Sequence, residues 1–408
     1  MDPDSTAGHD VFRCSPFWWF GTSIISRVLY FDQRMSHIVL IGGIPRSLTN
    51  FRGDFISACV AAGHRVTAMS GHASDEQISR IKALGADFTP YPVERNGLNP
   101  FADLNTLLIL IKRLRALHPD VVIAYTIKPV IWSGIALRLL FFKGSFFGLI
   151  TGLGYAFREK TLSGKVLARM VSGLYRSALR SARGVIFQNT MSKDVFLEKG
   201  IATEDLCHIV EGSGVNLEYF HQMPMQEEDG APVFLLVARL LREKGIPEFV
   251  QAARIVKKTF PSAKFRLLGP RDPSPAGISL EEVERWHDAG FIDYLGRTDD
   301  VRPFLAGCHV FVLPSYYGEG LSRSILEAMA VGRPILTTDN PGCRETVIEG
   351  ENGFIVPRGD AEALSERMVW FCENPARWSD MGKRSRVIAE ERYDVNKINR
   401  QLMALTGL

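Results

Sequence analysis

The sequence predicts an α/β protein built from two doubly wound parallel sheets. Three observations carry that expectation. From His37 short apolar runs alternate with helical patterns, the same alternation restarts at Val233, and 408 residues with 46% hydrophobic content can fill two cores.

The first unit opens with a strand at 37–41, followed by the loop Gly42-Gly-Ile-Pro-Arg-Ser-Leu-Thr-Asn50 and a helix over 51–62. Further strands are expected near 65–69, 86–91, 121–125, 146–150 and 184–188, with helices between them. A polar, acidic stretch up to Gly230 reads as the crossing between domains. The second unit repeats the scheme from Val233, Lys264, Tyr294, His309, Pro334 and Gly353. The expected division is therefore 35–211, a connecting segment 212–230, 231–375, and closing helices over 376–408.

Residues 1–34 stand apart. Phe17-Trp-Trp-Phe20 and Ile24-Ile25 are interrupted by Pro16, Gly21 and Arg27, which suits neither a membrane span nor a signal peptide. Two readings remain: a start of translation at Met35, which is the expectation here, or an interfacial aromatic anchor.

Composition narrows the function classes. No apolar run approaches the ~18 residues of a membrane span, so a soluble or peripheral, cytoplasmic protein is expected. The six cysteines are scattered without a Cys-x-x-Cys pair, and the nine histidines form no His-x-x-x-His pair. An Asp-x-Asp triplet falls in the tail as Asp2-Pro-Asp4. A metal-independent protein without a cofactor is expected.

The most informative segment is Ser315-Tyr-Tyr-Gly-Glu-Gly-Leu-Ser-Arg-Ser-Ile-Leu-Glu327, which follows an apolar strand pattern at 309–313 and leads into a helix over 321–330. It sets Glu319 just before a helix start and Glu327 two turns inside it. The backbone N–H groups of Gly320, Leu321 and Ser322 would meet a phosphate there. With Ala328-Met-Ala-Val-Gly-Arg-Pro334, this segment resembles the retaining family-4 (group 1) glycosyltransferases of the GT-B fold. The resemblance implies two Rossmann-like domains facing across a cleft, a last helix that folds back onto the first, Glu319 on the donor sugar and Glu327 on the ribose.

Four other segments match in order. Ala238-Arg-Leu-Leu-Arg-Glu-Lys-Gly245 leaves a strand end, and the resemblance places Arg239 and Lys244 on the donor diphosphate, where charge builds as the leaving group departs. Phe265-Arg-Leu-Leu-Gly269 is a strand ending in glycine, and the backbone near Gly296 and Arg297 would lie against the base. Gly212-Ser-Gly-Val-Asn-Leu-Glu-Tyr-Phe220 is similar to the family's interdomain segment.

The first half resembles bacterial members that extend a saccharide on a polyprenyl diphosphate. Candidate acceptor residues are Gly42 and Gly43, Asn50 and Arg52 of Asn50-Phe-Arg-Gly53, Lys128 of Thr126-Ile-Lys-Pro129, and Thr151 and Gly152 of the next strand-end loop. Arg52 and Lys128 would oppose the two phosphates. The loop after the fifth strand lacks the histidine that many members carry, leaving Thr151 and the backbone at 152–154 to face the sugar.

Charge is uneven: residues 36–211 hold 21 Lys/Arg against 13 Asp/Glu, and 212–408 hold 24 against 28. Between Lys160 and Lys193 there are seven basic residues and no acid, with Leu162, Val166, Leu167, Met170, Val171 and Leu174 at helical spacing. Such a helix suits an anionic membrane surface, or else a solvated face over ordinary core. No nucleic-acid module accompanies the charge. The expected function is transfer of a hexose or N-acetylhexosamine, from UDP most simply, to a lipid-linked saccharide. A sugar-nucleotide epimerase and a non-catalytic nucleotide-sugar-binding assembly component remain as alternatives.

Overall fold

A computed structural model describes residues 35–94, 99–153, 157, 162–225, 231–274, 276–316, 318 and 320–408. The expectations attached to residues 1–34, Gly154 and Glu319 lie outside the described residues.

The predicted pair of parallel α/β sheets is present. In the first, β1 (His37–Ile41), α1 (Pro45–Ala61), β2 (Arg65–Ser70), α2 (Asp75–Ala83) and β3 (Asp87–Pro90) wind one way. Then α3 (Pro100–Leu117), β4 (Val121–Tyr125), α4 (Ile127–Leu139), β5 (Ser145–Ile150), α5 (Leu162–Leu179), β6 (Gly184–Phe187), α6 (Thr190–Glu198) and β7 (Cys207–Ile209) wind the other. The strand order is β3-β2-β1-β4-β5-β6-β7. Ile38 registers with both Val66 and Val121. Alternation along β1 sends Ile38 and Leu40 into one core and Val39 and Ile41 into the other. The second core lies under α3, α4 and α5, with α4 packed between its two neighbours.

The second sheet is built from β8 (Val233–Val237), α7 (Ile246–Val256), β9 (Lys264–Leu268), α8 (Leu280–Asp288), β10 (Asp293–Tyr294), α9 (Arg302–Ala306), β11 (Val310–Leu313), α10 (Arg323–Val331), β12 (Ile335–Thr338), β13 (Gly353–Val356) and α11 (Ala361–Glu373). Its order is β10-β9-β8-β11-β12-β13. Phe234, Phe265 and Phe311 are fully buried in its core, and the Phe234 and Phe265 rings stack with centroids 5.1 Å apart.

Three boundaries differ from the sequence reading. Helix α1 begins at Pro45, which occupies a first-turn position and needs no N–H partner there, so the expected loop through Asn50 is already helical. Helix α10 begins at Arg323, two residues later than expected. Of the closing helices, α12 (Trp378–Ile388) packs into the second core through Trp378, Met381 and Ile388, and α13 (Val395–Thr406) alone reaches the first, where Ile398 and Leu402 join Ile38 and Leu40.

The chain thus crosses between domains twice, and the crossings are tied to each other. Val215 N donates to Tyr393 O at 2.8 Å and Val395 N donates to Val215 O at 3.0 Å. Gly214 lies against this junction with φ 70°, and a Cβ there would sit 2.6 Å from Val395 Cα, so only glycine fits. Asn216 Nδ2 donates to Asp54 Oδ1 of α1 at 3.0 Å.

Candidate functional site

All strands of each sheet run parallel, so the loops that leave their carboxyl ends gather on one edge, the position that open α/β sheets use for ligands. These two edges face each other. Residues just past β5 and β6 meet the loop before α10: Asn189 Nδ2 donates to Gly320 O at 2.6 Å, and a Cβ on Gly320 would fall 2.5 Å from Thr151 O and 2.3 Å from Gln188 Oε1. Glycine at 320 is what lets the two edges approach this closely.

On the second edge, the chain leaves β8 and runs beside the end of β9, with Ala238 N on Leu268 O and Leu240 N on Pro270 O. Gly269, at φ 155°, passes so near that a Cβ would lie 1.7 Å from Ala238 O. This close pairing aims Arg239 at Asp272, with which it forms an ion pair. Asp272 is buried and also accepts from Ser274 N at 2.9 Å. Burial would raise its pKa, but the Ser274 hydrogen bonds and the Arg239 charge outweigh that and hold it below the usual value. Asp272 therefore stays ionised and fixes a guanidinium that remains partly open to the cleft.

Lys244 closes a short turn over Arg242–Lys244. Gly245 follows at φ 75°, where a Cβ would be 2.1 Å from Pro314 O, so the turn sits directly on the end of β11. Glu243 O accepts from Tyr316 N at 2.9 Å and from Ser315 Oγ at 3.2 Å. The turn carrying Lys244 is thereby bonded to the segment that leads into α10, which brings together two motifs some seventy positions apart in sequence.

At the start of α10 the amide assignments shift. Ser322 N donates to Gly342 O at 2.8 Å, so that amide is spent and cannot hold a phosphate as the sequence reading had it. The open donors move one turn on, to Arg323, Ser324 and Ile325, because Ser322 caps the helix without a side-chain bond to it. The Leu321 side chain packs against Gly212. Glu327 pairs with Arg323 at 2.9 Å, both side chains being less than one fifth exposed. Burial raises the Glu327 pKa, and the Arg323 charge offsets part of the rise. Arg323 in turn lies 5.6 Å over the Phe51 ring of α1, so this pair also touches the first domain. Gly296, at φ 72°, accepts from Gly269 N through its carbonyl at 2.8 Å. Arg297 is exposed and meets Asp299, which also pairs with Arg46 of α1 at 3.0 Å.

The first-domain candidates divide. Arg52 is corrected: because α1 starts early, Arg52 points into the core, 3% exposed, with its guanidinium 5.5 Å from the Tyr125 ring and its pKa lowered to about 10 by burial. It cannot meet an acceptor phosphate there. Lys128 is bound to Asp103 at 2.7 Å, joining α4 to α3, so its charge is largely matched within the domain. Gly42 is a packing requirement, since a Cβ would strike the Tyr125 hydroxyl at 2.2 Å, whereas a Cβ on Gly43 would meet only ordinary contacts, Thr126 Oγ1 at 3.7 Å being the nearest. Asn50 is exposed on α1, and Thr151 and Gly152 are half-buried at the cleft edge. Thr126 holds φ 69° at the end of β4, a costly conformation for threonine placed at the same edge.

Sequence reasoning missed Asp272 and Asn189. Asp272 lay in Arg271-Asp-Pro-Ser274, which reads as an ordinary turn, and Asn189 reads as a helix cap, which it also is through Ser192 N at 2.8 Å. Their second roles depend on partners 33 and 131 residues away.

Comparison with known proteins places this architecture. The family model of glycosyl transferases group 1 matches residues 221–388. An N,N'-diacetylbacillosaminyl-diphospho-undecaprenol alpha-1,3-N-acetylgalactosaminyltransferase of Campylobacter jejuni is 28% identical over 81% of this chain and 88% of its own length. The putative colanic acid biosynthesis glycosyltransferase WcaL of Escherichia coli is 29% identical over 48% of this chain and 50% of its own. Among solved structures, a glycosyltransferase from Rickettsia africae superposes with a TM-score of 0.72 at 18% identity, covering 91% of this chain and 98% of its own. HepE from Anabaena, in complex with UDP, gives 0.72 at 17% over 92% and 100%.

Proposed function

From a chain that belongs to the group 1 glycosyltransferases and carries the GT-B fold, we propose a retaining enzyme that moves a hexose or N-acetylhexosamine from UDP to a lipid-linked saccharide in bacterial surface glycan assembly. The observation that carries this reading is the hydrogen-bonded seat of the Lys244 turn on the segment before α10, with Arg239 fixed by Asp272 beside it. Two cations and the first-turn amides of α10 are the groups that would then meet a departing diphosphate. The acceptor class is supported by the relative that acts on a diphospho-undecaprenol-linked sugar and is similar over most of both chains.

In this mechanism the bond from the anomeric carbon to the bridging phosphate oxygen breaks as Arg239 and Lys244 neutralise the growing charge. The acceptor hydroxyl oxygen bonds to the anomeric carbon from the same face, and its proton passes to the departing phosphate. Glu319 would hold the donor sugar and Glu327 the ribose, which requires Glu327 to exchange part of its bond with Arg323 for ribose hydroxyls. Gly296 and Arg297 would flank the base, and Thr151 and Gly152 the acceptor side. The basic face of α5 would hold the enzyme against anionic lipid at the cytoplasmic surface.

The test is incubation of the full chain with labelled UDP-sugars, with and without a polyprenyl-diphosphate saccharide, followed by assignment of the product anomer. Transfer with retained configuration is expected. Turnover of donor to an epimer without acceptor, or binding without turnover, would replace this reading.

A further inference from the structure

Helices α3 and α5 flank α4 on one face of the first sheet, and each carries an exposed apolar ridge. On α3 the ridge is Phe101, Leu104 and Leu108; on α5 it is Leu162, Val166 and Met170. These six side chains are between 52% and 82% exposed, although the rest of each helix packs normally, with Leu110 and Leu114 or Val171 and Tyr175 in the core. The spacings, three and four on α3 and four and four on α5, place each set on a single helix face.

Both ridges occupy the N-terminal half of their helix. In a parallel sheet that half lies at the carboxyl edge, which here is the edge facing the second domain. With α4 between them the ridges stand roughly 20 Å apart, two helix spacings. The later turns of the same outward faces are basic: Lys112 and Arg115 on α3 and Arg180 just past the end of α5, with Lys165 and Arg169 set among the α5 apolar positions. Arg176 is excluded from this set because its guanidinium donates to Gly200 O and Lys199 O. Asp103, the acid on α3, is matched by Lys128. The exposed face is thus apolar toward the cleft and cationic behind it.

We propose that this face is a two-pronged membrane-docking surface: the ridges of α3 and α5 insert into the acyl boundary of an anionic leaflet while the cations behind them meet its headgroups. An apolar patch bordered by cations, with Asp103, the acid of these two helices, paired to Lys128, fits anionic lipid better than it fits a protein groove. The arrangement sets the cleft mouth at the bilayer surface. It rests on the lipid-linked acceptor proposed above, because a diphosphate anchored in that surface would then reach the cleft without its chain leaving the bilayer.

The proposal differs from simple charge attraction and is tested on that difference. The full chain is sedimented with phosphatidylglycerol vesicles at low salt and at about 1 M NaCl, where screening acts beyond about 3 Å. The wild type should keep part of its binding at high salt. Variants with Phe101, Leu104 and Leu108 changed to Ser, or separately Val166 and Met170, should each lose about tenfold in affinity at both salts. The positions are exposed, so melting temperatures should stay native, and two separate variants guard against one that misfolds. Unchanged vesicle binding by both variants, complete release of the wild type at high salt, or conversion of a wild-type dimer to monomer in the variants would overturn the proposal, the last showing that a second copy covers the face. Transfer to a short water-soluble acceptor is measured alongside. It should be equal in wild type and variants, and its failure in all of them would count against the enzymatic reading while leaving the docking result to stand.

Discussion

Asn189 and Gly320 lie 131 residues apart and are joined across the cleft by a 2.6 Å hydrogen bond from the Asn189 amide to the Gly320 carbonyl. The same side chain caps α6, so one residue fixes both a helix end in the first domain and the approach to α10 in the second. Asn189→Ala should cost about 1 kcal/mol of stability through the lost cap. Asn189→Ser keeps the cap and loses the reach, and is the discriminating variant: its melting temperature should stay near native while turnover falls about tenfold, the cost of a misplaced reacting loop. Native turnover in Asn189→Ser would show that the bond does not position the donor loop.

Arg239→Ala should reduce turnover by about 10²- to 10³-fold, as expected for removal of a charge that stabilises a leaving group. Because Arg239 is partly exposed, its melting temperature should change little. Asp272→Asn keeps the shape but gives up the charge that aims the guanidinium, so its turnover should fall between wild type and Arg239→Ala. Steady-state kinetics on the two variants, with calorimetry as control, checks the order.

Glu327 supplies a pH dependence. Its folded pKa is raised by burial, so the stability gained by keeping it neutral is present below the unfolded value and is lost as pH rises through the folded value. Donor binding runs the opposite way, because the ionised carboxylate is the better ribose acceptor. UDP affinity measured by titration calorimetry should weaken on acidification at a pH above the ordinary glutamate value of about 4.3. In Glu327→Gln affinity should be low throughout and that acid limb should vanish.

Transfer should survive EDTA, since Arg239, Lys244 and the α10 amides are assigned the leaving charge. Loss of activity that magnesium or manganese restores would contradict that assignment.

Most strands were legible because parallel strands buried on both faces are short runs of Val, Ile, Leu and Phe, as at Val121–Tyr125 and Val310–Leu313. The start of α1 was not, since Gly42-Gly-Ile-Pro reads as loop until one sees that Pro45 opens the helix. That shift of six residues turned Arg52 from a cleft residue into a core one. Arg239, Lys244 and Glu327 are proposed from local motifs, but the charges that hold Arg239 and Glu327 were not equally visible: Arg323 is one helical turn from Glu327, whereas Asp272 is 33 residues from Arg239. A pairing created by the sheet leaves no periodic trace in the chain.

The return of α13 to the first sheet also bears on the order of events during synthesis. Ile398 and Leu402 fill the same core as Ile38 and Leu40, so a ribosome that has released the first two hundred residues has exposed a domain with an apolar face still uncovered. The second domain, whose core runs from Val215 to Tyr393, can close that core while the first waits. Although domains commonly fold in the order they are made, here the half that emerges first is completed after the second, and its open face must be shielded until α13 arrives.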